Sequence, residues 1–584
     1  MNTAGSRRGF AIMAGIVVAL CMSACSRKPP DSSAATNSAD AADSIFYGGD
    51  ILTMEGDVPQ YVEAIAVKDG KIVYVGSKAG ADKLKGESTV TSDLQGKALL
   101  PGFIDPHSHF MSSLGMDRQA NCQPAPAGNA NDVAGIIKAL QDLQARLNVS
   151  DGEMLMGYGY DDSVMPGGRL LNRDDLDAAF PNNPVIVVHV SMHGAVLNSR
   201  AMEKFGISAD TKTVEGGIVV RKPGTSEPHG LIMEMNYLPI FAALPKPSVE
   251  QQLQDLKAGQ MIYAAAGVTT AQEGATHLPE VELLERGASE GRLFIDVISY
   301  PLFTEMDGLF KTRMPADFGK YTHGLKLGGI KITVDGSPQG RTALFTTPYL
   351  EGGPSGEKDW YGNASFSQDV ANQLLKRIYD MGLQSSFHAN GDGAIDMLLK
   401  AHEFAAAGDL ARDRRTLSIH SQFIRRDQID RFAEYKIIPS FFTLHTFYFA
   451  DTHIRNRGLA QASFISPMKT AIARGLRPTN HTDFNVAPID QMFVVWSAVN
   501  RMSRSGVLIG GDERVSPYQA LQAITTNAAY QYFEEGSKGS LTAGKLADLV
   551  ILDGNPLKVE PMAIKDIRVV QTFKEGKSVY RAGQ

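Results

Sequence analysis

Leu100-Pro101-Gly102-Phe103-Ile104-Asp105-Pro106-His107-Ser108-His109 is an apolar run that ends in a His-x-His pair. Side chains alternate across a strand, so His107 and His109 project from one face. Two imidazoles side by side at the end of such a run suit a divalent metal. The alternative is one buried and one exposed histidine at a loop mouth. Whether further ligands follow, in a workable order, decides between the two.

The chain has 584 residues, 43% of them hydrophobic, and a formal net charge of −7. That is long enough for a large enzyme core and for more than one domain. No basic stripe points to nucleic acid. Of the three cysteines, Cys21 and Cys25 sit in the leader, which leaves Cys122 without a mature partner. This argues against a disulfide framework and excludes a cysteine-rich metal site.

The first 25 residues read as an export signal. Arg7-Arg8 precede an apolar run from Phe10 to Leu20, too short for a stable membrane span. Met22-Ser23-Ala24-Cys25 resembles a lipobox, which makes Cys25 the lipidated first residue of the mature protein. An ordinary signal peptide is the alternative. Ser6-Arg7-Arg8-Gly9-Phe10 also resembles a twin-arginine signal, so either export route is open. Residues 26–43, rich in Ser, Ala, Asp and Pro, read as a flexible tether. The expectation is an exported cell-envelope lipoprotein, facing the periplasm from the outer membrane and held to it by lipid on Cys25.

Both ends of the mature chain are β-rich. Ile51 to Met54 reads as a strand, and Ala64 to Val75 as a hairpin turning at Lys68-Asp69-Gly70-Lys71. Gly544 to Asp553 is a turn into a buried strand, and Val569 to Tyr580 carries another hairpin. One small β-sandwich assembled from residues 44–97 and 538–584 is the simplest arrangement. Between them, 98–537 alternates strand and helix. Gly267–Thr270, Gly329–Val334, Leu383–His388, Thr416–His420 and Ile437–Phe442 are strand candidates; Val370–Met381 and Gly393–Ala407 are helical. That order predicts an α/β fold, a (β/α)8 TIM-type barrel. The stretch at about 111–244 exceeds one strand-helix unit and reads as a lid inserted over the barrel mouth. Within it, Gly157-Tyr158-Gly159-Tyr160-Asp161 is either a substrate-contacting lid segment or a tight turn.

On Gly329 to Asp335, alternation puts Lys331, Thr333 and Asp335 on one face and Ile330, Ile332 and Val334 on the other. A lysine facing a barrel interior is costly as a cation, so its pKa falls. The neutral amine can then add carbon dioxide to give a carbamate; pairing with Asp335 is the alternative. His388 and His420 each end a strand, and Asp483 follows Thr479-Asn480-His481-Thr482. Each of these alone has a structural explanation, Asp483 as a helix N-cap.

As an ordered set, these segments resemble the amidohydrolase superfamily. The resemblance includes Pro101-Gly102-Phe103-Ile104-Asp105-Pro106-His107-Ser108-His109 and the Gly-x-x-Ala-Asp-Leu-Val segment ending at Val550. Lys331-Ile332-Thr333-Val334-Asp335-Gly336 is similar to the amidohydrolase-3 branch, which includes N-substituted formamide deformylases. The resemblance implies that His107, His109, Lys331, His388, His420 and Asp483 hold one or two divalent ions, with Lys331 carboxylated. Zinc fits these ligands; manganese and iron fit as well. Asp483 is implied as the general base for an activated water, and His193, in Ser191 to Ser199, as a contact to the substrate carbonyl. Relatives carry Glu-His where this chain has Ile419-His420, and Gly-Ser-Asp where it has His481-Thr482-Asp483. His481 is expected to orient substrate or cap its strand. His445 is expected on an exposed loop, and Met192, Tyr160 and Phe447 in packing roles.

The implied activity is hydrolysis of a C–N bond in a small-molecule amide, formamide or cyclic amide. An esterase or lactonase would use the same ligands. A non-catalytic binding lipoprotein would be expected to lack some of them. The sequence leaves the oligomeric state open.

Overall fold

Apolar runs bounded by turn residues become strands, eight of which run parallel in chain order. They are β1 (Phe103–Ile104), β2 (Val268–Thr276), β3 (Asp296–Pro301), β4 (Gly329–Thr333), β5 (Gln384–Ala389), β6 (Leu417–His420), β7 (Ile438–Phe441) and β8 (Thr479–Asn480). The structure is a computed structural model that describes residues 41–583 except 215–216, 245–246 and 355. The export signal, Cys25 and residues 26–40 of the expected tether lie outside the described residues. Ala42 and Asp43, given to the tether, instead pair with Leu84 and Val67 and belong to the folded part.

β1 to β3 form one parallel sheet and β4 to β8 another. Leu325–Leu327 pairs with β3 and passes through Gly328 into β4, so one stretch serves both sheets. At the other side β1 and β8 are only two residues each. Their contact is made just beyond the strand ends. Asp483 N–H donates to His107 O at 3.1 Å, and His109 N–H to Phe484 O at 2.8 Å. Thr482 Oγ1–H donates to Asp105 at 2.5 Å.

The alternation on β4 has the expected result. Ile330, Ile332 and Val334 join one core with Ala371, Leu375 and Ile378 of the helix Gln368–Asp380. Ser367 starts that helix by accepting a hydrogen bond from Val370 N–H. Lys331 faces the other way and is 2% exposed.

Strands from both ends of the chain share one eight-stranded sheet. Leu549–Leu552 lies antiparallel to Ala98–Pro101. Alternate residues of Tyr61–Lys68 face two different apolar clusters, Ile65 and Val67 on one side and Ala64 and Ala66 on the other. Ala98–Pro101, placed by the sequence with the α/β region, is a strand of this sheet. Gly102 is the crossing point into β1: a Cβ there would lie 2.6 Å from Thr269, so no side chain fits.

The insertion is more than a lid loop. It holds a six-stranded sheet, from Ala120–Asn121 to Gly217–Arg221 and Pro228–Glu234, and packs it on the helix Val133–Leu147. Gly157 to Tyr160 is part of the strand Leu155–Tyr160 and makes no tight turn. A Cβ on Gly157 would sit 2.7 Å from Cys122 Sγ, so close packing explains that glycine. Cys122 is buried and free.

Candidate metal centre

The C-terminal ends of β1, β6 and β8 bring three donor groups together. One ligand atom each from His107, His420 and Asp483 lies within 4.8 Å of the others, and all three residues are buried. Asp483 is the hub. Its Oδ1 is 3.4 Å from His107 Nε2 and 3.4 Å from His109 Nε2, and its Oδ2 is 3.9 Å from His420 Nδ1. Lys331 Nζ reaches His107 Nε2 at 3.3 Å from β4. His388, at the end of β5, has its ring centroid 4.6 Å from that of His420. All six residues of the expected ligand set therefore converge, His107, His420 and Asp483 most tightly. Imidazole and carboxylate at this spacing form a donor set that a divalent ion of borderline softness accepts.

The backbone is shaped to this end. His420, Ser421 and Asp483 have φ of 71°, 44° and 51°, in the left-handed region that non-glycine residues rarely adopt. Such strain persists where surrounding structure fixes it, and it concentrates at functional sites.

Neighbouring side chains orient the donors. Gln272 on β2 donates its amide to Pro106 O at 3.0 Å and to Tyr532 Oη at 2.8 Å. Its Oε1 is thereby turned to His107 Nδ1, at 2.5 Å. Nδ1 carries the proton and Nε2 keeps its lone pair toward Asp483, the arrangement a metal-ligating histidine needs. Glu273 lies 3.8 Å from His109 Nδ1. Asp105 accepts from Thr482 and from His107 N–H, tying the two histidine- and aspartate-bearing loops to each other. The sequence reading missed Gln272, Glu273 and Asp105. The first two lie mid-strand, on the strand that begins at Val268.

The electrostatics follow from burial and crowding. Burial drives His107 and His420 well below the ordinary imidazole value and lowers His388 to about 3. Burial alone would also lower His109, but Asp483 and Glu273 raise it to about 9. Burial would raise Asp483, yet His420, His109 and His107 hold it well below the usual carboxylate range. Lys331 falls to about 8, burial outweighing the pull of Asp483 and Glu273. Asp335 is not its partner: it accepts from the N–H groups of Asn390, Gly391 and Leu344 at 2.9 to 3.0 Å and ties down the loops there.

His193 belongs to the insertion. Its Nδ1 is 3.1 Å from Glu234 Oε2, and its side chain is part-exposed. Partial desolvation would lower its pKa, but Glu234 raises it, helped by the charges of Asp483 and Asp335. His481 is fully buried, with its ring 5.1 Å from those of His107 and His420. Ile419 packs with Ile104, Ile298 and Ile438 in an apolar cluster. His445 corrects the expectation of an exposed loop. It is 3% exposed, opens the helix His445–Tyr448, and shares a hydrogen bond of 2.9 Å with His453. The apolar neighbours Phe442 and Phe449 bury it, at 4.6 and 4.8 Å between ring centroids. Tyr160 and Met192 pack in the insertion as expected.

The profile of the amidohydrolase family matches residues 90–580. The chain is 28% identical over 556 residues to the Arabidopsis thaliana protein LONG AFTER FAR-RED 3, covering 92% of each. It is 24% identical over 523 residues to an N-substituted formamide deformylase of Arthrobacter pascens, covering 88% of this chain and 94% of the other. Its fold is similar to that of a solved uncharacterised metal-dependent hydrolase from Pyrococcus horikoshii OT3. That similarity has a TM-score of 0.69 at 23% identity and covers 89% of this chain and 99% of the other.

Proposed function

This chain belongs to the amidohydrolase family, in its amidohydrolase-3 branch, and from that premise we propose that it hydrolyses a C–N bond in a small amide, formamide or cyclic amide. The observation that carries the reading is Asp483 at the meeting point of His107, His109 and His420. We read the two parallel sheets as a (β/α)8 barrel over 98–537, with the donor set at its C-terminal mouth. His107, His109, Lys331, His388, His420 and Asp483 would hold one or two divalent ions, zinc suiting their donor types. A bound divalent ion supplies Lewis acidity and brings the pKa of water near 7.

The chain's own residues do the rest. Asp483 stays ionised through neutral pH, so an acceptor is ready for the proton of the attacking water. It then returns that proton to the leaving nitrogen. His193, held by Glu234, donates to the substrate carbonyl oxygen. The neutral amine of Lys331 adds carbon dioxide through its nitrogen lone pair and releases one proton, leaving a carbamate anion with two donor oxygens.

The test is elemental mass spectrometry of the purified mature protein, followed by assays of chelated and reloaded enzyme. Substrates are N-formylated amines, cyclic amides, esters and lactones. One or two metal equivalents and turnover of a C–N substrate are expected, with Asp483→Asn folded and slower by about 100- to 10,000-fold. No metal after reloading, or unchanged turnover in Asp483→Asn, would sink the reading. Turnover of esters alone would move the protein to the esterase class. Lipid attachment at Cys25 is proposed from the lipobox resemblance, and Cys25→Ala is expected to release the protein from membrane fractions. Continued membrane association would contradict the anchor.

A further inference from the structure

A cavity of about 690 Å³ lies beyond the C-terminal ends of β7 and β8. None of the six residues of the donor set lines it. Five segments of the chain line it: Ala125 to Ala127 of the insertion, those around Phe447, Phe493 and Arg504, and Met562 to Arg568 near the C-terminus. Its volume is in the range that encloses a small organic ligand.

The walls are aromatic. Phe493 and Trp496, on the helix Gln491–Asn500, stack with ring centroids 5.1 Å apart and planes 6° apart. Phe447 meets them edge-on at 5.0 and 5.8 Å, and Tyr448 meets Phe493 at 5.9 Å. Such an array offers both faces and edges to a planar ring.

The polar groups on the cavity are unbalanced. Trp496 is 3% exposed, and its indole N–H makes no hydrogen bond; nor does the buried Nε–H of Arg504. A buried donor without an acceptor is costly, and a ligand oxygen would relieve it. The carboxylates, in contrast, are engaged. Asp490 caps the helix, accepting from Phe493 N–H at 3.0 Å, and Asp566 is 3.0 Å from Lys565. Arg504 lies over the Phe447 and Tyr448 rings, at 5.7 and 5.2 Å, and one of its terminal N–H groups reaches the buried Asp161 at 3.4 Å; Arg568 has no ion pair among the described residues. Two unpartnered donors, and a lining with three cationic side chains against two carboxylates, select an acceptor-bearing aromatic over an aromatic cation.

We propose that this cavity is a binding site for an aromatic carboxylate, with its ring among Phe447, Phe493 and Trp496 and its carboxylate on Arg504 and the Trp496 indole N–H. The site is distinct from the metal centre, so its occupancy is measurable without turnover.

The chain contains two tryptophans, Trp360 and Trp496. In the full chain carrying Trp360→Phe, emission therefore reports on Trp496 alone. Titration with phenylacetate is expected to change that emission saturably, with a matching calorimetric isotherm on the unaltered protein. Arg504→Gln is expected to weaken binding about tenfold, the loss of one charge-assisted hydrogen bond. Should Arg504→Gln fail to fold, Phe447→Leu keeps every polar group and is expected to weaken binding several-fold. No saturable signal by either method would overturn the proposal. So would full affinity in the folded variants, or tighter binding of benzylamine than of phenylacetate.

Discussion

Lys331 and Lys538 are buried alike, at 2% and 4% exposure, and live in opposite surroundings. Lys331 has a histidine nitrogen as its near neighbour and, among the described residues, no carboxylate within ion-pair distance. Lys538 Nζ lies 2.6 Å from Asp296 and 2.8 Å from Glu534, with Tyr321 and Thr270 also accepting from it. The network around Lys538 extends further. Lys326 pairs with Glu534, and Lys574 bridges Asp296 and Asp548 at 3.0 and 3.1 Å. Burial lowers Lys331 to about 8, while around Lys538 the carboxylates more than cancel burial and hold it above the ordinary lysine value. Burial by itself therefore says little about what a lysine does. A compensated cation fixes structure, here joining β3 to the terminal sheet. An uncompensated one is a reactive amine waiting for chemistry.

The largest effect expected is on stability. Lys538→Met leaves Asp296 and Glu534 short of a partner and should cost about 3–5 kcal/mol in denaturant unfolding, while the folded fraction keeps its turnover. A loss below about 1 kcal/mol would mean that the network is not what holds the two regions together. Lys331→Met should do the reverse: stability unchanged or improved, turnover lower by at least about 100-fold. An inactive variant that has also unfolded would erase the contrast.

The same contrast has a pH signature. The Lys331 pKa is about 8 in the folded chain against 10.5 for a free lysine, so between those values the unfolded chain binds more protons. Stability of the metal-free protein should therefore rise with pH through that window, by about 3 kcal/mol at most for this group. The difference between wild type and Lys331→Met, followed by unfolding at pH steps, should show that rise; a fall would reverse the assignment. The smallest effect is expected at Gln272→Leu. Loss of its hold on His107 should weaken metal retention about 10- to 100-fold against a competing chelator, with the fold intact.

Much of this was legible in the sequence because it is local. Apolar runs announced the strands that carry or precede His107, Lys331, His388 and His420, and alternation announced the face that Lys331 takes, while the reading of these residues and Asp483 as ligands came from the family resemblance. The meeting of the two chain ends in one sheet was also readable, from β-rich segments at both. What escaped is non-local. Gln272 matters because β2 lies beside β1, and no spacing within β2 says that. His445 looks like a loop residue until His453, Phe442 and Phe449 close over it. The insertion read as excess length, since its strands are only two to seven residues long and Pro228–Glu234 pairs past Gly217–Arg221 with Gly194–Leu197.

Asp105 and Thr482 are 377 residues apart in the chain and share one of the hydrogen bonds that join the first and last parallel strands. His107 stands two positions from one partner, and Asp483 is adjacent to the other. The donor set therefore does not exist on a partly made chain; it comes into being only when the last parallel strand reaches the first. A site of this kind would form late, after most of the chain has been made. A truncated or stalled chain carries most of the histidines but not the pocket that would retain a metal.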